Sequence, residues 1–156
     1  MLDYLNATAG MMIHQKPKAD AVIRLLAEAG LPTSDLQPAM LEWFFGYGDR
    51  DTPSGIIGLE IAGDDALLRS LVVREGARGE GIGDAMVDAV ERAARSMDIQ
   101  DLYLLTETAA SFFARLGYVA IARDRAPDAI KNTTEFSSLC SHDAILMVKH
   151  VGAGGE

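Results

Sequence analysis

Residues 67–87 read LLRSLVVREGARGEGIGDAMV. The first seven are apolar at nearly every position, the pattern of a strand covered on both faces. From Ile82 onward, Ala85, Met86, Ala89, Val90, Ala93, Ala94 and Met97 recur at helical spacing, leaving Asp84, Asp88, Glu91, Arg92 and Arg95 for water. Gly79, Gly81 and Gly83 stand at the junction. Glycines there let the backbone approach a ligand closely, and the free amides of the helix's first turn form a nest for an anion, most naturally a phosphate. DLYLLT at 101–106 reads as another buried strand. Residues 67–106 are therefore a strand, helix, strand unit whose strands run parallel with a right-handed crossover.

Working outward, PKADAVIRLLAEAG at 17–30 predicts an amphipathic helix with Pro17 in its first turn and Gly30 and Pro32 as its stop. LEWFFGYGD at 41–49 and GIIGLEIAG at 55–63 flank the turn composition RDTPS and predict a hairpin, which GDDA extends into a three-stranded meander ending at Val73. After Thr106, ETAASFFARLGY predicts a short helix ending at Gly117, followed by the strand YVAIA. Residues 123–143 are polar and irregular, with a helical turn around Pro127 to Lys131, and AILMVKHV at 144–151 is a last strand. The expectation is one α/β domain over 1–151 with a flexible tail at 152–156.

A chain of 156 residues, 49% hydrophobic, is long enough to bury a core on two faces of a sheet. Its formal charge of −9 argues against nucleic acid and against an anionic membrane surface as partners. One cysteine, Cys140, makes no disulfide framework, and with three scattered histidines it makes no structural zinc site, so no metal is expected and a reducing cytoplasm is. No stretch approaches the ~18 consecutive apolar residues of a membrane helix, and neither export nor membrane insertion is expected. On so acidic a protein an anion must be held locally, by oriented amides with Arg74 and Arg78, because distant charge is screened beyond ~8 Å.

The glycine spacing is not GxGxxG and lacks the GK[ST] ending of a P-loop, which disfavours dinucleotides and nucleoside triphosphates. The pyrophosphate of coenzyme A remains, against the plain alternative of a tight turn into a helix. Arg78, Gly81 and Gly83 resemble the central motif of the GNAT superfamily of N-acetyltransferases: arginine or glutamine, two residues, glycine, one residue, glycine or alanine. The resemblance extends through LLRSLVVREGARGEGIGDAMV and TETAASFFARLGY, and the strand order matches from about residue 40 to 151. It implies the GNAT fold, a mixed, mostly antiparallel central sheet with a splayed parallel strand pair, flanked by helices. It also implies acetyl-CoA, whose pantetheine arm would lie along Leu71, Val72 and Val73. The amides of Arg78, Gly79, Gly81, Ile82, Gly83 and Asp84 would cradle the pyrophosphate. The thioester would lie past a bulge near Leu71 and Thr106, a catalytic position where a backbone donor left unpaired by the splay would polarise its carbonyl, and Phe112 or Phe113 would line the coenzyme.

Two residues depart from that family. Phe113 stands where many members carry a tyrosine that protonates the thiolate, and Leu67 where many carry a glutamate. Glu60, in the apolar run GIIGLEIAG, is the candidate base, against a carboxylate on a solvated sheet face. Tyr118 reads as a core aromatic and Cys140 as a packed thiol. His142 is a candidate acceptor contact or a solvated loop residue. A finer resemblance, carried by LLRSLVV, LYLLTETAASFFARLGY and APDAIKNTTEFSSLC, is to GNAT proteins encoded with arsenic-resistance genes; SLVVREGARGEGIG also resembles the acetyltransferase domain of N-acetylglutamate synthases. Both imply a small, amino-acid-like amine acceptor. Arg69 could then hold a carboxylate, or form a structural ion pair with Glu60 or another acid. The segment 123–143 offers Arg123, Arg125, Asn132, Thr133, Phe136 and His142 for recognition. Expected is direct acetyl transfer; the alternative is a coenzyme-binding sensor with weak catalysis. Supposed edge strands at 41–49 and 144–151, with Trp43, Phe44 and Phe45, predict a homodimer.

Overall fold

The computed structural model describes residues 12–139 and 143–152. In chain order these form β1 (Ile13–Gln15), α1 (Ala19–Glu28), α2 (Pro38–Leu41), β2 (Phe44–Gly48), β3 (Pro53–Ala62), β4 (Asp65–Val73), α3 (Ile82–Ser96), β5 (Asp101–Thr106), α4 (Ala110–Arg115), β6 (Val119–Ile121), α5 (Asp128–Lys131) and β7 (Ile145–His150). The strands make one sheet in the order β1-β2-β3-β4-β5-β7-β6. β4 and β5 pair in parallel through Ala66↔Leu102 and Leu67↔Tyr103. The pairs β1–β2, β2–β3, β5–β7 and β6–β7 are antiparallel. Ser70 lies at φ 61°, in the left-handed region, and interrupts the extended run of β4 three residues after its last pairing with β5.

The chain divides into two compact units. One holds the described residues up to Leu59 with Ser70–Val90; the other holds Glu60–Arg69 with the described residues from Glu91 onward. In the first, Val22, Leu25 and Leu26 of α1 pack with Phe44, Ile56 and Val72 of the strands. The stripe read at helical spacing is thus the buried face of α1, and a ring fits beneath it because Gly58 has no side chain: a Cβ there would lie 2.6 Å from Phe44. In the second, Ala62, Leu67, Tyr103, Ala126, Ile130 and Leu146 form the core, with Phe136 and Ile121 packed against it.

Several expectations change. α1 begins at Ala19, so Pro17 lies before the helix and not in its first turn. The strand expected from Leu41 starts at Phe44, because Pro38 opens a short helix over those residues. Among the described residues the sheet runs from β1, which the sequence did not announce, to β6, and neither 41–49 nor 144–151 is an edge. Phe44 and Phe45 are buried and Trp43 half-buried, which removes the exposed aromatic cluster on which the dimer expectation rested. Gly152, expected in a frayed tail, is buried and its amide donates to Gln100 O at 3.1 Å, while 153–156 lie outside the described residues. No helix among the described residues is long and apolar enough to cross a membrane.

Candidate coenzyme site

The end of β4 turns through a short 3-10 segment, Glu75–Ala77, into α3. Arg78 folds back over this turn, its Nε donating to Val73 O at 3.1 Å, so the arginine fastens the loop to the strand it leaves. Gly79 and Gly81 follow at φ 84° and 78°, a region that favours glycine, and a Cβ built on either meets nothing within 4 Å. Packing therefore does not require glycine at these positions; the backbone conformation does, and it leaves the surface before α3 bare. The first helical bond runs from Ala85 N to Gly81 O at 3.1 Å. The amides of Ile82 and Gly83 precede it, in the first turn of the helix, where N–H groups have no carbonyl one helical turn back. This turn is where the anion nest was expected, and Gly79 and Gly81 keep it clear of side chains. Asp84, in the first turn, suits the helix dipole but adds a negative charge beside that nest.

Beside this junction lies a cavity of about 320 Å³ lined by Leu25, Glu28 and Ala29 of α1, Val72 and Val73 of β4, and Arg74, Glu75, Gly76 and Arg78. It brings together Val72, Val73 and Arg78, three of the positions singled out for the coenzyme, and presents two arginines against two glutamates. Leu71, on the same strand, is half-buried. The contribution of α1 was not legible in the sequence: Glu28 is an ordinary polar residue of a last helical turn, and only packing sets it opposite β4.

The other sequence candidates lie in the second unit, and several are already engaged. Arg69 is buried; its Nη1 donates to Glu60 Oε1 at 3.0 Å, and its Nε stands 4.0 Å from Glu135 Oε1. The ion pair with Glu60 that was weighed for Arg69 is present. Thr106 Oγ1 accepts the Ala109 amide at 2.9 Å, shaping the turn into α4. Phe113 is buried, edge to face with Tyr118 at 5.6 Å, while Phe112 is half-buried under the Arg115 guanidinium. Phe136 packs on the core beneath Arg123, whose guanidinium lies 4.5 Å from the ring. Arg125 and Asn132 are exposed, and the Thr133 hydroxyl donates to Ile130 O at 2.7 Å. His142 and Cys140 lie outside the described residues.

One buried cluster escaped the sequence. Glu91, assigned there to the wet face of α3, is buried; it accepts from the Tyr118 hydroxyl at 3.0 Å and from Lys149 Nζ at 3.0 and 3.1 Å. Burial, then the Glu91 carboxylate, push the Tyr118 hydroxyl far above the usual phenol range, and Tyr118 is a core residue as read. The signal was faint: Glu91 follows Val87 by four residues, and Val87 is itself buried.

Residues 42–120 match the family described as the acetyltransferase (GNAT) domain. An uncharacterized N-acetyltransferase of Chlorobaculum tepidum is 33% identical over 85 residues, 54% of each chain, so the match spans about half of that relative's length. Among solved structures, a Mycobacterium tuberculosis protein in complex with CoA has a TM-score of 0.74 at 19% identity, over 88% of this chain and 98% of that one. N-acetylglutamate synthase of Neisseria gonorrhoeae, complexed with coenzyme A and L-arginine, has a TM-score of 0.72 at 18% identity, over 88% of this chain and 32% of that one. At such identities these two speak for the fold, a seven-stranded mixed sheet with one parallel pair, β4 and β5, which is the fold expected. With the family matched over half its length, including the turn from β4 into α3, the chain belongs to the GNAT acetyltransferase domain family.

Proposed function

We propose that this protein transfers an acetyl group from acetyl-CoA, by direct attack, to the amine of a small, amino-acid-like acceptor. Gly79 and Gly81 carry the proposal: a left-handed, unobstructed backbone opening a helix beside the Val72, Val73 and Arg78 cavity suits a pyrophosphate with a pantetheine tail. Acetyl-CoA supplies the activated acetyl thioester. The amides of 78–84 hold the pyrophosphate, Arg78 and Arg74 offset its charge, and the backbone of Leu71 to Val73 orients the pantetheine. Thr106 acts by shaping the turn before α4, and Glu60 by partnering Arg69. Tyr118 does not serve as the acid, because its proton is committed to Glu91. The amino-acid-like acceptor and the tie to arsenic resistance are supported by the sequence resemblance alone. A homodimer is part of the proposal only through the sheet ends β1 and β6, and sedimentation velocity tests it.

A second function, coenzyme binding with little catalysis, is favoured by one observation: the position that many members fill with an acidic tyrosine is here the core residue Phe113. Free thiol released from acetyl-CoA over a panel of amines separates the two. Release with at least one amino acid supports transfer. Calorimetric binding of coenzyme A with no release from any amine supports the sensor.

A further inference from the structure

Two arginines converge on consecutive residues of the 123–139 segment. Arg123, at its start, donates from Nη1 to Ala144 O at 3.1 Å and from Nη2 to Phe136 O at 3.3 Å, and covers the Phe136 ring. Arg69, on β4, reaches the carboxylate of Glu135 while holding Glu60. The turn between is tied to α5 by Thr133, whose hydroxyl donates to Ile130 O and accepts the Phe136 amide at 3.3 Å, while Ser137 N donates to Thr133 O at 3.0 Å. Glu135 and Phe136 thus sit on one π-helical turn, Glu135–Leu139, with the Glu135 carboxylate paired at 4.0 Å to one arginine and Phe136 held through its carbonyl and ring by the other.

We infer that Arg69 is a positioning residue that straps the Glu135 turn to β4 and thereby sets the shape of the segment that recognises the acceptor. A side chain 1% exposed, facing carboxylates 19% and 13% exposed, has its charge matched within the protein. Adding an acceptor carboxylate would set a third anion against one guanidinium, which disfavours Arg69 as the acceptor's own ligand. Its place on β4 suits a strap: Arg69 precedes Ser70, the left-handed residue, and stands two residues before Leu71. The strand proposed to orient the coenzyme therefore also carries the anchor of the turn.

Replacing Arg69 would leave two partly buried carboxylates together without their shared cation and risk unfolding, so the test is Glu135→Gln, which keeps the size and leaves Arg69 its bond to Glu60. Hydrogen exchange at the amides of 132–137 is expected to quicken about tenfold, with coenzyme A affinity by calorimetry unchanged within about twofold. The kinetic part rests on the acetyltransferase function proposed above; the exchange part does not. With L-glutamate and ethanolamine as probe amines, KM is expected to rise about tenfold for both and kcat to hold within about twofold, because the strap shapes the segment without touching the reacting atoms. Unchanged exchange overturns the strap. Quickened exchange with an equal loss of coenzyme affinity overturns it too, since the variant then loosens the protein generally. A KM that falls for L-glutamate alone overturns it in favour of Arg69 as a carboxylate ligand. If neither amine is turned over, the exchange rates and coenzyme affinity decide the strap by themselves.

Discussion

Gly81→Ala separates the backbone's conformational need from its ligand's. At φ 78° an L-residue is strained by about 1–2 kcal/mol, and with no atom within 4 Å of the added methyl there is no steric term on top. Gly30, which ends α1, is the matched control: φ 73°, and again nothing within 4 Å of a Cβ. The two alanine variants should therefore lose the same stability in urea titrations, within about 0.5 kcal/mol. Coenzyme affinity should part them. A hydrogen bond from an amide to a charged phosphate contributes about 1.5–3 kcal/mol, so a methyl that forces the pyrophosphate off one amide weakens Kd roughly 10- to 150-fold. Gly30→Ala should bind like the wild type, and Gly81→Glu, which adds a charge, worse than Gly81→Ala. Calorimetric titration with coenzyme A is the assay. Wild-type affinity in Gly81→Ala, or an equal loss in Gly30→Ala, would refute the assignment of the bare backbone at Gly79 and Gly81 to a phosphate.

Lys149→Met should cost about 3 kcal/mol in urea unfolding, because it leaves the Glu91 carboxylate buried with only the Tyr118 hydroxyl; Glu91→Gln should cost less, and the opposite order would show that the cluster is not an ion pair in solution. Gly58→Ala should cost about 2–3 kcal/mol by driving a methyl into the Phe44 ring, and a variant as stable as wild type would mean that Phe44 does not pack there. His14 on β1 is buried with Nε2 unbonded, and burial, then the charge of Arg50, hold its imidazole below the usual 6.5. The unfolded chain then takes up a proton near pH 6.5 while the folded chain resists. Stability should thus fall as pH drops below 6.5 toward the lowered folded value, by at most about 1.4 kcal/mol per pH unit. His14→Gln should flatten that part of the difference between pH 7.5 and 5.5, and identical pH profiles would count against a buried neutral imidazole.

The sequence by itself determined the strand, helix, strand unit of β4, α3 and β5, the helix α1 and the hairpin of β2 and β3. Each is written in a local period, because side chains two residues apart share a strand face and those three or four apart share a helix face. It also pointed to the left-handed turn before α3, since a positive φ at Gly79 and Gly81 is a property of single residues. What it could not carry was the long-range pairing. β1 spans three residues and has no period to detect, so the identity of the sheet's edge was decided only when the chain closed. Arg69 was legible as a buried cation, but Glu60 and Glu135 as its partners were not both legible, nor was Lys149 as the partner of Glu91, 58 residues away. A buried charge must find its counter-charge in space, and the lattice of contacts that chooses among many exposed-looking acids exists only in the folded chain. The turn into α3 belongs to the first kind of knowledge, and the pairings of Arg69 and of Glu91 in the second unit belong to the other.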